Sequence, residues 1–324
     1  MIRISKSLFS TMSRLSFNSV KSIDNLVSST KALKPIASAG ILIIGDEVLN
    51  GKILDTNSYN FARFCFNNLS IPMKRTIVCG DDSQDIKNSL KILVEQDKLD
   101  IIITSGGLGS THDDITYSVL SEFYGIDYEL DQEVVDRMKK IRGQYLDQLS
   151  PDQLSAFYKM ATLPTSKSPN VTTEKIFIDD SLWFPIVAIN QQVYILPGVP
   201  QLFTKLVSAL ESYLKTRISL SGSQLHRFYV KTTSAESEMA PLLSNLQEKV
   251  DSKYGTGIVK LGSYPHMDWK INTVSIIGKI PEVSKEALRA VVDEVVAGIG
   301  GNATEISQQD EDKMSNESPS GAKI

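Results

Sequence analysis

Hydrophobic residues in the middle of this chain follow two rhythms. Short apolar or β-branched runs at 41–44, 74–79, 100–104 and Val193–Leu196 have the length and composition of strands. Between them, apolar residues recur at helical spacing. Phe61, Phe64, Cys65 and Leu69 mark a helix over 57–69, and related patterns predict helices over 84–95, 114–124 and 131–142. Another follows Pro151, and one runs from the turn Pro197-Gly198-Val199-Pro200 to about Lys215. A strand without polar alternation must be covered on both faces, so this order predicts an α/β fold with a mostly parallel sheet between helical layers. Residues 163–173, with two prolines, read as a loop.

A small polar break at 219–223 changes the rhythm to strand (227–233), helix (236–251), strand (257–262), strand (271–278) and helix (283–299). Ala287, Leu288, Val291, Val295 and Ile299 share one face of the last helix. The pattern predicts a main α/β domain over 40–218 and a small α+β module, βαββα, over 224–301. No internal repeat is visible.

Charge changes the picture at the two ends. The 324 residues carry a formal charge of −4, yet residues 1–39 hold six basic residues, one acid and ten serines. Arg3, Lys6, Arg14 and Lys21 fall on one side of a helical projection, with Ile4, Leu8, Phe9, Met12 and Leu15 on the other. That is the pattern of a mitochondrial transit peptide over 1–39, implying the matrix. A plain N-terminal extension on a cytoplasmic protein is the alternative. From Ser307 onward the chain offers almost nothing to bury, which predicts a disordered tail over 307–324. Without its two ends the body is acidic, which argues against nucleic acid as a partner. No apolar run reaches the roughly 18 residues of a membrane span. Cys65 and Cys79 form no CxxC pair, so neither a disulfide scaffold nor a thiolate zinc site is expected.

Ligands of open α/β sheets bind beyond the C-terminal strand ends. Three such ends are rich in small and polar residues: GDEVLNGKILDTN (45–57), Gly80-Asp81-Asp82-Ser83, and GGLGSTHDD (106–114). In the third, Gly106, Gly107 and Gly109 allow tight turning with N–H groups presented to phosphate oxygens. Ser110, Thr111 and His112 supply further donors. Asp113 and Asp114 suit a metal or an activated water, or the N-cap of the next helix. Asp55 and Thr56 are candidate caps as well, and Asp81 and Asp82 are ordinary loop acids when taken singly. Acids from several strand ends facing one crevice would make a hard oxygen site, suited to Mg²⁺ or a similar ion.

These segments, with the later LPGVP, resemble in order and spacing the molybdopterin-binding-like (MoaB/Mog) domains. Within that group the chain is most similar to the CinA-like branch and to the N-terminal domain of animal FAD synthase, over roughly residues 40–215. GGLGSTHDD is the most specific element. The resemblance implies a three-layer α/β fold and a functional Asp matching Asp114, with a second matching Asp81 or, less well, Asp82. It also implies roles for Asp46, Glu47, Asp55 and Asn57. Asp46, Glu47 and Asp114 are thereby candidate metal ligands. Gly106, Gly107, Gly109, Ser110, Thr111, Asn57 and Lys159 are candidate substrate contacts, although a solvated helix lysine is the plainer reading of Lys159. The implied chemistry is hydrolysis of a pyrophosphate in FAD or ADP-ribose, dependent on Mg²⁺, Mn²⁺ or Co²⁺, with K⁺ a candidate second ion. The implied partners are a small dinucleotide and other copies of the chain.

Two departures stand out. Ser110 replaces a usual Pro, and 179–192 (DDSLWFPIVAINQQ) replaces an Asn-Pro/Gly-rich segment of the bacterial branch. Trp183 and Phe184 in that segment read first as local core, and alternatively as a stacking surface for flavin or adenine. His226 and His266 read as structural, and Cys65 as core. Molybdopterin adenylyl transfer is the alternative enzyme reading, and a flavin-nucleotide-binding regulator is the non-catalytic one.

Overall fold

A computed structural model describes residues 32–317. Residues 1–31, which hold most of the expected leader, and 318–324 lie outside the described residues. The chain divides into two compact units at Ser221/Gly222, inside the predicted polar break.

The first unit starts with β1 (Ala39–Ile44), the short α1 (Asp46–Leu49) and α2 (Asn57–Arg63), which runs on as a π-helical turn over Phe64–Leu69. Next come β2 (Met73–Cys79), α3 (Ser83–Lys91) with a π-helical turn over Ile92–Gln96, β3 (Ile101–Ser105) and α4 (Thr116–Tyr124). They are followed by β4 (Asp127–Leu130), α5 (Gln132–Leu146), α6 (Pro151–Lys159), β5 (Thr162–Thr165), β6 (Thr173–Ile176), β7 (Ile186–Ile189) and β8 (Val193–Leu196). The unit closes with α7 (Pro200–Ala209) and α8 (Glu211–Ser221).

The main sheet has the order β2-β1-β3-β8-β7-β6. Its β2, β1, β3 and β8 are parallel, as the apolar runs predict, while β7 and β6 extend it antiparallel. Ile41 and Ile43 of β1 pack against Phe61, Phe203 and Leu206 on one face. Leu42 and Ile44 pack against Leu90, Tyr117 and Leu120 on the other. Adjacent strand residues point to opposite faces, so an unbroken apolar run is what two covered faces require. Each fully buried aliphatic side chain of this kind contributes about 1.5–3 kcal/mol.

Three expectations are corrected in this unit. The loop at 163–173 begins as β5, paired antiparallel with β4, and ends in β6. The α/β domain begins before residue 40, because residues 33–38, assigned to the leader, form a strap across it. Ile36 is fully buried, and its N–H donates to the Arg217 carbonyl at 3.3 Å. Arg217 Nε donates to the Lys34 carbonyl at 2.8 Å, and Asp100 Oδ2 accepts from the Ala37 N–H at 2.9 Å and from the Ser38 hydroxyl at 2.8 Å. Finally, the helix predicted from residue 114 starts at Thr116, and its N-cap, Ile115, makes no side-chain cap.

The second unit contains β9 (Gln224–Thr232), α9 (Glu236–Tyr254), β10 (Val259–His266), β11 (Ile271–Ile280) and α10 (Lys285–Ile299). It ends in β12 (Thr304–Ile306) and α11 (Gln308–Asn316). The antiparallel sheet order β10-β11-β9-β12 makes this a split βαββαβ unit rather than the shorter βαββα. The tail expected to be disordered from Ser307 is a capped helix instead. Ser307 closes a capping box with Asp310, Met314 is buried, and Trp269 Nε1 donates to the Glu317 carbonyl at 2.9 Å. One buried Met and one cap leave almost no apolar pattern to read. Among the described residues no helix is long and apolar enough to cross a membrane.

Candidate functional site

The glycine loop leaves β3 where the parallel strands end, and its geometry explains its composition. Gly106 (φ +115°) would bring a Cβ to 2.0 Å from the Ile44 carbonyl oxygen, and Gly107 (φ +64°) to 2.2 Å from Thr116 Oγ1. Any side chain at either position is excluded by backbone conformation and by contact. The Gly106 N–H is spent on the Leu196 carbonyl at 3.2 Å, and the Gly106 carbonyl accepts from the Thr116 hydroxyl at 2.9 Å. Past this anchor, the N–H groups of Gly107, Leu108 and Gly109 have no acceptor among the described residues.

Gly107, Leu108 and Gly109 line a cavity of about 520 Å³. Its lining is mainly apolar, with Asp55, Thr56, Asn57, Ser105, Glu47 and Asp114 among its polar members. Asn57 is buried, and both hydrogens of its amide are used, on Ser105 Oγ at 2.9 Å and the Gly198 carbonyl at 2.8 Å. This fixes the amide orientation, and Asn57 Oδ1 is left as a buried acceptor without a partner. Asp55 Oδ1 accepts from the Asn57 and Ser58 N–H groups at 3.0 and 2.9 Å, so it shapes the start of α2.

Asp114 Oδ2 accepts from the Thr111 N–H at 3.0 Å and from the Thr111 hydroxyl at 2.5 Å, while no hydrogen bond engages Oδ1 among the described residues. The aspartate therefore closes the loop with one oxygen and offers the other. Lys159 Nζ donates to the Thr111 carbonyl.

The predicted residues thus separate. Gly106, Gly107, Gly109, Asn57, Glu47 and Asp114 line the cavity; Ser110, Thr111, Lys159, Asp46 and Asp81 do not. Thr111 and Lys159 are occupied in holding the loop shut on Asp114. Asp82 caps α3 by accepting from the Gln84 and Asp85 N–H groups, both at 2.9 Å. Asp46 turns away from the cavity. Its Oδ1 lies 2.5 Å from where a Cβ on Gly80 would stand, and its N–H donates to Asp81 Oδ2 at 3.0 Å. The expected trio Asp46, Glu47 and Asp114 is accordingly not gathered. Among the described residues no three His, Cys, Asp or Glu side chains group as metal ligands. Of the three carboxylates that line the cavity, Asp55 is committed to the start of α2, which leaves Glu47 and Asp114. Mg²⁺ commonly takes one or two protein carboxylates when phosphates and water complete its shell.

Partial burial pushes the Asp81 carboxyl above its ordinary value of 3.8; the hydrogen bond from the Asp46 N–H opposes this, and repulsion from Glu47, Asp46 and Asp113 adds to it. A carboxyl raised in this way contributes stability below its unfolded pKa that is lost as pH rises through the folded one. Asp81→Asn, which keeps an acceptor for Asp46, is therefore expected to raise the melting temperature at neutral pH. The gain should close as the pH falls below 3.8. Thermal melts of both proteins across that range check it, and a gain that persists in acid would contradict the assignment.

Trp183 and Phe184 pack against the core, in line with the first expectation for them. Both line the cavity, with Tyr117 and Met160. The adjacent pair of large aromatics ahead of β7 was the available signal.

A three-layer α/β domain with a ligand-sized cavity and a glycine loop at its parallel strand ends defines the class. Residues 40–216 match the family described as a probable molybdopterin binding domain, and the chain belongs to that family. It is 28% identical to a Pyrococcus horikoshii protein, over 75% of this chain and 92% of that one. It is 29% identical to a probable FAD synthase of Caenorhabditis elegans over 81% of this chain, and 30% identical to a CinA-like protein of Geotalea daltonii over 73%. The chain spans 50% and 54% of the length of those last two. Among solved structures it is similar to CinA from Thermoplasma acidophilum, at 27% identity and a TM-score of 0.45, covering 55% of this chain and 98% of that one.

Proposed function

We propose that the chain hydrolyses the diphosphate of FAD to FMN and AMP, or that of an ADP-ribose-like dinucleotide. The supporting observation is a cavity sized for a nucleotide whose lining includes Asp114 and Gly107, Leu108 and Gly109, residues whose N–H groups have no acceptor among the described residues. The Gly107, Leu108 and Gly109 N–H groups bind the diphosphate oxygens and orient the bridge. Asp114, held through Oδ2 by Thr111, uses Oδ1 to orient a water and accept its proton as the water oxygen bonds to phosphorus. The bond from that phosphorus to the bridging oxygen breaks, and the leaving phosphate departs with the bridging oxygen. Glu47 and Asp114 are the residues that would hold a divalent ion, whose contribution when bound is to neutralise phosphate charge and acidify water.

Similarity to proteins named probable FAD synthase supports a flavin-nucleotide substrate. The test is incubation of the purified chain with FAD, and separately with ADP-ribose, in the presence of Mg²⁺, Mn²⁺ or Co²⁺. Equal amounts of FMN and AMP are the expected products of FAD. If both dinucleotides stay intact with every ion, the reading is wrong.

A further inference from the structure

Within this proposed reading, we infer that the cavity is the seat of the flavin half of the substrate and that Trp183 sets its preference for an isoalloxazine ring. The Trp183 ring lies edge-on to Phe184 (centroids 5.1 Å apart, planes at 74°) and tilted against Phe157 (6.0 Å, 44°). Trp183 leans on the core cluster of one sheet face and Phe184 on that of the other, and both line the cavity. Neighbours hold the Trp183 ring without burying it completely, and its indole N–H has no hydrogen-bond partner among the described residues. A stiffly held, part-exposed indole on a cavity wall is a stacking platform.

The remaining walls decide which ring it receives. Leu108, Met160, Ile44, Val48, Ile53 and Leu202 provide an aliphatic surround. Adenine carries ring nitrogens or its amine around most of its edge, and apolar walls would leave several of these unpaired. The isoalloxazine has one wholly apolar edge, the dimethylbenzene ring, and groups its polar atoms at the opposite end. A mainly apolar cavity with a few polar lining residues suits the second distribution better than the first. Trp183 acts here as a specificity-determining residue, away from the reacting phosphorus.

The chain has two tryptophans, Trp183 and Trp269, so Trp269→Phe leaves Trp183 as sole reporter. Titration of that variant with FMN, riboflavin, AMP and ADP-ribose should show saturable quenching by both flavins and none by AMP. Calorimetry on the otherwise native chain should show FMN affinity falling roughly 5- to 100-fold in Trp183→Leu and recovering in Trp183→Phe. A melting curve for each variant separates loss of fold from loss of stacking. Saturable binding of AMP with no response to FMN, or an unchanged FMN affinity in a folded Trp183→Leu, would overturn the inference. Flavin binding without FAD cleavage would refute the hydrolytic reading alone, and cleavage without Trp183-dependent flavin binding would refute the ring assignment alone.

Discussion

Asp114→Asn is expected to lower FAD turnover by roughly 10²- to 10⁴-fold, the usual contribution of a positioned acid–base group. The change is nearly isosteric, and an amide oxygen can still accept from the Thr111 N–H, so the loop should keep its course. FMN affinity should change little, because the aromatic wall is untouched. The measurements are steady-state kinetics with FAD beside an FMN binding curve for the same preparation. Turnover within about threefold of wild type would confine Asp114 to holding the loop. Should binding and turnover collapse together, Thr111→Val would separate the two roles, since it removes the hydroxyl bond to Oδ2 and leaves the carboxylate.

The second large effect concerns stability. Ile36→Ala should cost about 2–5 kcal/mol, as expected when a fully buried aliphatic side chain leaves a cavity. For a unit of this size that is a fall in melting temperature on the order of 10 °C. Deleting residues 33–38 should cost more. It also removes the Lys34 carbonyl that accepts from Arg217 Nε. Arg217 is fully buried, its Nη2 already lacks a partner, and Tyr194 would be left as its hydrogen-bonding neighbour. Thermal denaturation of chains beginning at residue 32 and at residue 39 tests this. Equal melting temperatures would show the strap to be dispensable.

How much was legible follows from what each segment buries. The central strands announced themselves because both faces of the sheet are covered, so Ile41, Leu42, Ile43 and Ile44 are all apolar. β4 could not, since its residues are all exposed, and Pro164 disguised β5. The strap escaped because its basic and serine-rich neighbours matched a leader, while Ile36 is the one buried residue among 33–38.

The glycine loop was readable because strain and close approach leave glycine no substitute. The division of labour among its polar residues was not. Nothing in GGLGSTHDD tells that Thr111 spends both its donors on Asp114, or that Lys159 comes from α6 to the Thr111 carbonyl. The carboxylates were found individually, but their directions depend on α1, a short helix the pattern does not show. Its turn sends Glu47 to the cavity and Asp46 toward Gly80.

Trp183 and Phe184 are neighbours in sequence that lean on opposite faces of the sheet, and this limits how the segment before β7 can evolve. Residues 177–185 form neither strand nor helix, so inserting or deleting one of them would change the course of the turn that carries both rings to the wall. Point substitutions there can tune the pocket, whereas changes of length should erase it. Among homologues, substrate range should therefore follow the length of this connection as closely as its composition.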